Sequence, residues 1–202
     1  VLRPADLVVG LREVLRSPVL RPILILVAAV GVLFVGPMMV VFPLLIRDYY
    51  GGDIAQLGML QMAFPIGTIL GSVAILVRGG IQRKGRAQIG ALAFGCLCLG
   101  PVALGLPLWG TLVAVVFWGI GAAIFMNSGR TVFQEKAPPA QRGRVLSVYT
   151  LGFMGASGLL GAPLSGVLVD LVGPLATCGI ASAVMLAVVA LTAATTEIAR
   201  VE

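Results

Sequence analysis

Residues 152–166 read GFMGASGLLGAPLSG, with glycine at every third position through Gly161 and a proline two residues later. Two readings compete. Gly155-Ala156-Ser157-Gly158 could set a serine nucleophile on a tight turn, or the glycines could strip one helix of bulk so that other helices come close. The run that contains this stretch, Val145–Val169, holds no charged residue. Five more such runs occur: Ile23–Ile46, Leu57–Val77, Ile89–Leu106, Thr111–Ser128 and Leu175–Thr196. Each has about 18 to 25 residues, the length an α-helix needs to cross a hydrocarbon core of about 30 Å. Strands of a membrane barrel would be half as long and would alternate, and these do not.

Composition agrees. Of 202 residues, 59% are hydrophobic and only 11% charged, and the mean hydropathy is +1.07. A soluble domain carries about 25% charge, so the chain reads as an all-α polytopic membrane protein with six transmembrane helices. Turn signals separate the runs: Gly51-Gly52, Gly79-Gly80, Leu106-Pro107, Pro138-Pro139 and Gly173-Pro174. Cys96, Cys98 and Cys178 lie in apolar runs without CxxC spacing, and the chain has no histidine. They read as small buried hydrophobes, so neither a metal site nor a cofactor is expected.

The net charge of +6 would suit nucleic acid, but its placement explains it otherwise. Thirteen of the fourteen basic residues fall on the side of the N-terminus, between spans two and three, between spans four and five, and after span six; only Arg47 falls opposite. The positive-inside rule then puts both termini in the cytoplasm of a multi-pass protein of the plasma or inner membrane, with no nucleic acid involved. Three segments follow: a cytoplasmic amphipathic linker over 1–21, the bundle over 22–197 and a cytoplasmic tail over 198–202. Within the linker, Leu7, Leu11 and Leu15 recur at four-residue spacing, predicting a helix over Asp6–Ser17 capped by Asp6 and lying along the membrane surface. Tyr49, Tyr50 and Trp109 sit at the outer ends of spans, where interfacial aromatics belong.

Residues 155–158 resemble the GxSG of the rhomboid proteases, but a serine nucleophile needs a base within reach. No histidine exists, and Lys84 and Lys136 lie in loops, while Ser157 is about 18 Å along its helix from Val145. A membrane enzyme is thus the weaker alternative. The spans also lack the intramembrane acids that commonly mark a proton pathway. The best polar cluster surrounds Asn127, Arg130 and Gln134, which share a face of span four. Gln61 is the strongly polar residue in mid-span two. Gln61, Phe64, Met126, Asn127, Arg130, Tyr149 and Phe153 are candidates for a substrate cavity suited to an amphiphilic small molecule. Spans two and five are both rich in small residues, with Gly67 and Gly71 in one and Ser157, Gly158, Gly161 and Ser165 in the other, so these are candidate helix-packing positions. Three spans followed by three similar ones fit an inverted repeat.

The loops carry a family resemblance. RGGIQRKGRAQ, residues 78–88, resembles the degenerate second copy of the G-x-x-x-D-R-x-G-R-R loop of the major facilitator superfamily. Arg83, Gly85 and Arg86 match it, while Arg78, Gln82 and Ala87 stand where the first glycine, the aspartate and the last arginine belong. QEKAPPAQRGRVLS, residues 134–147, is similar to a loop of the siderophore- and macrolide-exporter branch through Gln134, Pro138 and Arg142-Gly143-Arg144. GVLVDLVG, residues 166–173, resembles the outer end of the same helix in that branch. The resemblance implies that the six spans are the C-terminal half of a twelve-helix secondary active exporter that works by rocking alternating access. It implies an N-terminal six-helix half as partner, or failing that a second copy in a homodimer. It further implies that the first, second, fourth and fifth spans face the cavity or the other half, and that Arg83, Arg86, Gln134, Arg142 and Arg144 serve the cytoplasmic gate or the topology.

Overall fold

A computed structural model describes residues 4–195; residues 1–3, and 196–202 with the expected tail and Arg200, lie outside the described part. All regular structure among the described residues is helical. α1 covers Pro4–Arg16. Four long apolar helices follow: α2 Leu20–Tyr49, α3 Ile54–Val77, α4 Lys84–Leu104 and α5 Leu108–Lys136. The last continuous stretch, Arg142–Thr195, holds 54 residues and breaks at Gly173, whose φ of 82° and ψ of 167° no helix contains. Pro174 cannot continue the preceding hydrogen-bond ladder. The stretch therefore comprises two spans, α6 (142–172) and α7 (174–195), and six spans result.

The helices outrun the uncharged runs because polar residues at their ends extend the same backbone ladder into the interface. Asp53 caps α3, its carboxylate accepting from the Gln56 amide at 3.0 Å. Asp6 has no such place: α1 is already under way at Pro4, so Asp6 lies inside the first turn. The rotation of α1 is also set by something other than its leucines. A methyl group at Gly10 would stand 2.8 Å from the Arg144 carbonyl oxygen, so the α1 backbone rests on the start of α6. Val14 is buried at this contact. Leu11 and Leu15 stay uncovered by the protein, beside Arg12 and Arg16.

Two close crossings organise the bundle. In the first, α3 meets α5: side chains at Gly67 and Gly119 would overlap the carbonyl oxygens of Val116 and Phe64, and a methyl at Gly71 would come 2.9 Å from the Ala123 Cβ. In the second, α2 meets α6 through Gly31, Gly36 and Gly161, with Ser157 buried alongside. Exchanging the first three spans with the last three converts one crossing into the other, which is the relation an inverted repeat requires. Backbones this close gain dispersion energy where lipid offers no hydrophobic gain.

The second crossing is made of irregular helix on both sides. Gly31–Val35 in α2 and Ser157–Gly161 in α6 are π-helical turns. Each contains the residue four positions before a proline, Leu33 before Pro37 and Leu159 before Pro163. Proline supplies no N–H to that carbonyl and its ring crowds it, so the widened turn accommodates the clash. Behind both crossings sits Trp118, 4% exposed. It packs edge-on to Phe34 at 5.5 Å and Phe42 at 6.3 Å, and tilted against Phe64 at 4.7 Å. At the far end from the basic loops, the Tyr50 hydroxyl lies 2.6 Å from the Leu106 carbonyl and 2.7 Å from Thr111 Oγ1, tying α2 to the α4–α5 turn.

Candidate functional site

Three helices leave a cavity of about 480 Å³ between them. α3 contributes Phe64, Thr68 and Ser72, four residues apart and therefore on one stripe. α5 contributes Ala123, Met126, Asn127 and Arg130, and α6 contributes Leu146, Tyr149, Thr150, Phe153 and Met154, both with helical three-and-four spacing. Gly67 and Gly71 face α5 while Phe64, Thr68 and Ser72 turn to the neighbouring face, so the tight crossing of α3 on α5 forms the back wall.

The lining is braced from behind. Phe64 leans on Trp118, and the Tyr149 ring packs at 5.0 Å against Phe133, its hydroxyl pointing to the Met126 carbonyl at 3.5 Å. The Asn127 amide donates to the Ala123 carbonyl at 2.8 Å, and Thr131 Oγ1 donates to the Asn127 carbonyl at 2.8 Å. These bonds hold the polar part of α5 in register without using Arg130, which remains exposed in the cavity wall.

Six of the seven cavity candidates meet here: Phe64, Met126, Asn127, Arg130, Tyr149 and Phe153. Gln61 does not. It is exposed on α3 one turn before Pro65, outside the lining. α2 is likewise absent from this cavity, since its crossing with α6 places it behind Phe153; Leu24 Cδ1 would be 2.8 Å from a methyl at Gly152. Thr68 and Ser72 went unmarked although their spacing from Phe64 was visible in the sequence.

The five residues expected at the cytoplasmic gate stand outside the cavity lining, at the helix ends. Arg83, Arg86, Gln134 and Arg142 are exposed, and Arg144 is half-buried under α1. One ion pair at this end joins the start of α4 to the end of α5: Lys84 Nζ lies 2.7 and 2.6 Å from the two Glu135 oxygens. Charge alone could not single out Lys84 among the basic residues of these two connections. Gln88 is a second residue that sequence inspection passed over. It lies at the edge of an apolar run, yet its side chain is fully buried and both ends of its amide lack a hydrogen-bond partner among the described residues. Its Nε2 would be 2.6 Å, and the Tyr149 hydroxyl 3.1 Å, from a methyl at Gly129.

Among the packing candidates, Gly67, Gly71, Ser157, Gly161 and Ser165 are buried. Gly158 is exposed, and a methyl there would meet nothing within 4 Å. Gly158 and Gly161 both lie in the π-helical turn Ser157–Gly161, and only Gly161 meets α2. Ser157 has no catalytic surroundings: it is 2% exposed and its hydroxyl donates to the Met154 carbonyl at 2.9 Å.

Comparison with known proteins gives the arrangement a context. The family model described as Major Facilitator Superfamily matches residues 2–162. Macrolide efflux protein A of Streptococcus pyogenes is 26% identical over 153 residues, covering 74% of this chain and 37% of that protein. Multidrug efflux pump Tap of Mycolicibacterium fortuitum is 32% identical over 178 residues, covering 86% of this chain and 42% of the pump. The chain thus spans about two fifths of the length of these curated relatives. No solved structure matches it.

Proposed function

Because the chain belongs to the major facilitator superfamily, we propose that it is the C-terminal half of a secondary active exporter that moves an amphiphilic small molecule across the cell membrane. The observation that carries this reading is the cavity between α3, α5 and α6, whose wall mixes Phe64, Met126 and Phe153 with Asn127, Arg130 and Tyr149. Such a wall binds an apolar body and orients a polar group. It is one wall only, and a second six-helix half would supply the other. Rocking of the two halves would then expose the cavity to each side in turn. Export as the direction follows the relatives, both named for efflux. The placement of basic residues at the α3–α4 and α5–α6 ends supports a cytoplasmic location for those ends and for both termini. There Arg83, Arg86, Gln134, Arg142 and Arg144 would contribute to the gate or to insertion.

Filling the cavity tests the proposal. In the full-length protein, Met126→Trp should cut energised efflux of amphiphilic dyes from cells by about tenfold or more while leaving membrane insertion intact. Undiminished efflux with the indole in place would rule out this cavity as the substrate path.

A further inference from the structure

The wall of the cavity carries one formal charge, on Arg130, and no carboxylate stands among its lining residues. The acids of the described chain are elsewhere and several are engaged: Glu135 with Lys84, Asp48 with Arg47, and Asp53 with the first turn of α3. Arg130 itself has no hydrogen-bond or ion-pair partner among the described residues. Three of its hydroxyl neighbours are committed as donors elsewhere, which leaves the Ser72 hydroxyl and one Asn127 N–H as the neutral donors of the wall. Thr68 donates to the Pro65 carbonyl at 2.8 Å, Thr150 to the Leu146 carbonyl at 3.1 Å, and Tyr149 to the Met126 carbonyl. These hydroxyls spend their protons on the backbone. The guanidinium is thus the dominant uncommitted donor, with five N–H groups in a planar fork that matches a carboxylate.

We propose that Arg130 anchors a carboxylate carried by the transported amphiphile, whose apolar body lies against Phe64, Met126 and Phe153. The inference rests on the reading of this cavity as the substrate site. An ion pair in surroundings this apolar is stronger than in water, and bidentate geometry adds direction as well as affinity. A cationic group would be repelled at the same place. The positive charge that would read a carboxylate belongs to a single residue and is removable by a single substitution.

Pyrenebutyrate and its methyl ester share the pyrene body and differ in the charge Arg130 would read and in one methyl group. Fluorescence titration of the purified full-length protein should show the acid binding about tenfold or more tighter than the ester. Arg130→Gln should abolish that preference, and Arg130→Lys should keep part of it. Equal binding of acid and ester by the unaltered protein, or binding of neither, overturns the proposal without recourse to any variant. So does an Arg130→Gln protein that loses both ligands alike, as an arginine paired with an acid of the facing half would. Efflux measured in parallel separates the two readings. Acid preference without efflux defeats the exporter and keeps the anchor, whereas efflux without acid preference defeats the anchor alone.

Discussion

The backbone of Gly36 rests directly on that of Gly161, leaving no space for even one methyl group between α2 and α6. Gly161 in turn lies under α2 one turn earlier, where its own Cβ would be 2.9 Å from the Gly31 carbonyl oxygen and from the Val32 Cα. Both partners are backbone, which no rotamer change can move aside. The crossing also joins the two π-helical turns that precede Pro37 and Pro163, so the tightest contact of α6 lies where its ladder is least regular.

Three residues separate a position that tolerates bulk from one that does not. Gly161→Leu should lower the stability of the detergent-solubilised protein by about 3 kcal/mol or more, beyond ordinary overpacking because backbone must shift. Gly158→Leu, which points into open space, should stay within about 0.5 kcal/mol of the parent. Thermal unfolding of the two variants side by side checks this. Similar melting temperatures would show that the crossing is looser than described.

Gln88 is expected to be a cost to stability. Its buried amide lacks partners at both ends, and a buried polar group without a hydrogen bond loses about 1–3 kcal/mol. Gln88→Met keeps the length of the side chain and removes the amide. Its melting temperature should rise, while Gln88→Glu should fall well below the parent because a charge replaces the amide. A drop with methionine would mean that the amide is bonded.

The Lys84–Glu135 pair should contribute modestly. Its side chains are 18% and 47% exposed, and exposed ion pairs are worth under about 1 kcal/mol. A double-mutant cycle with Lys84→Met and Glu135→Gln should return a coupling of that size, shrinking at high salt as screening grows. A salt-independent coupling of several kcal/mol would indicate that the α4–α5 end is closed to solvent by something further.

Much of the architecture is readable along the chain because it depends on local quantities. A span requires about 20 consecutive residues without charge, and each of the six runs can be counted by itself. The Gly173-Pro174 break between α6 and α7 is visible in two letters, as is the asymmetry of the basic residues. Even six cavity residues emerge, since Asn127, Arg130 and Tyr149 are conspicuous against an apolar background. The rotation of each helix about its axis is different. In water an amphipathic pattern selects the buried face; in lipid both faces are apolar and the pattern is silent. Steric fit decides instead, and it involves residues far apart in sequence: Gly67 against Val116, Gly36 against Gly161, Gly10 against Arg144. That is why Gly158 and Gly161 look alike in GFMGASGLLGAPLSG yet only Gly161 meets another helix. It is also why Gln61 falls outside the cavity while Thr68 and Ser72 line it, and why α1 turns Gly10 inward and leaves Leu11 and Leu15 uncovered.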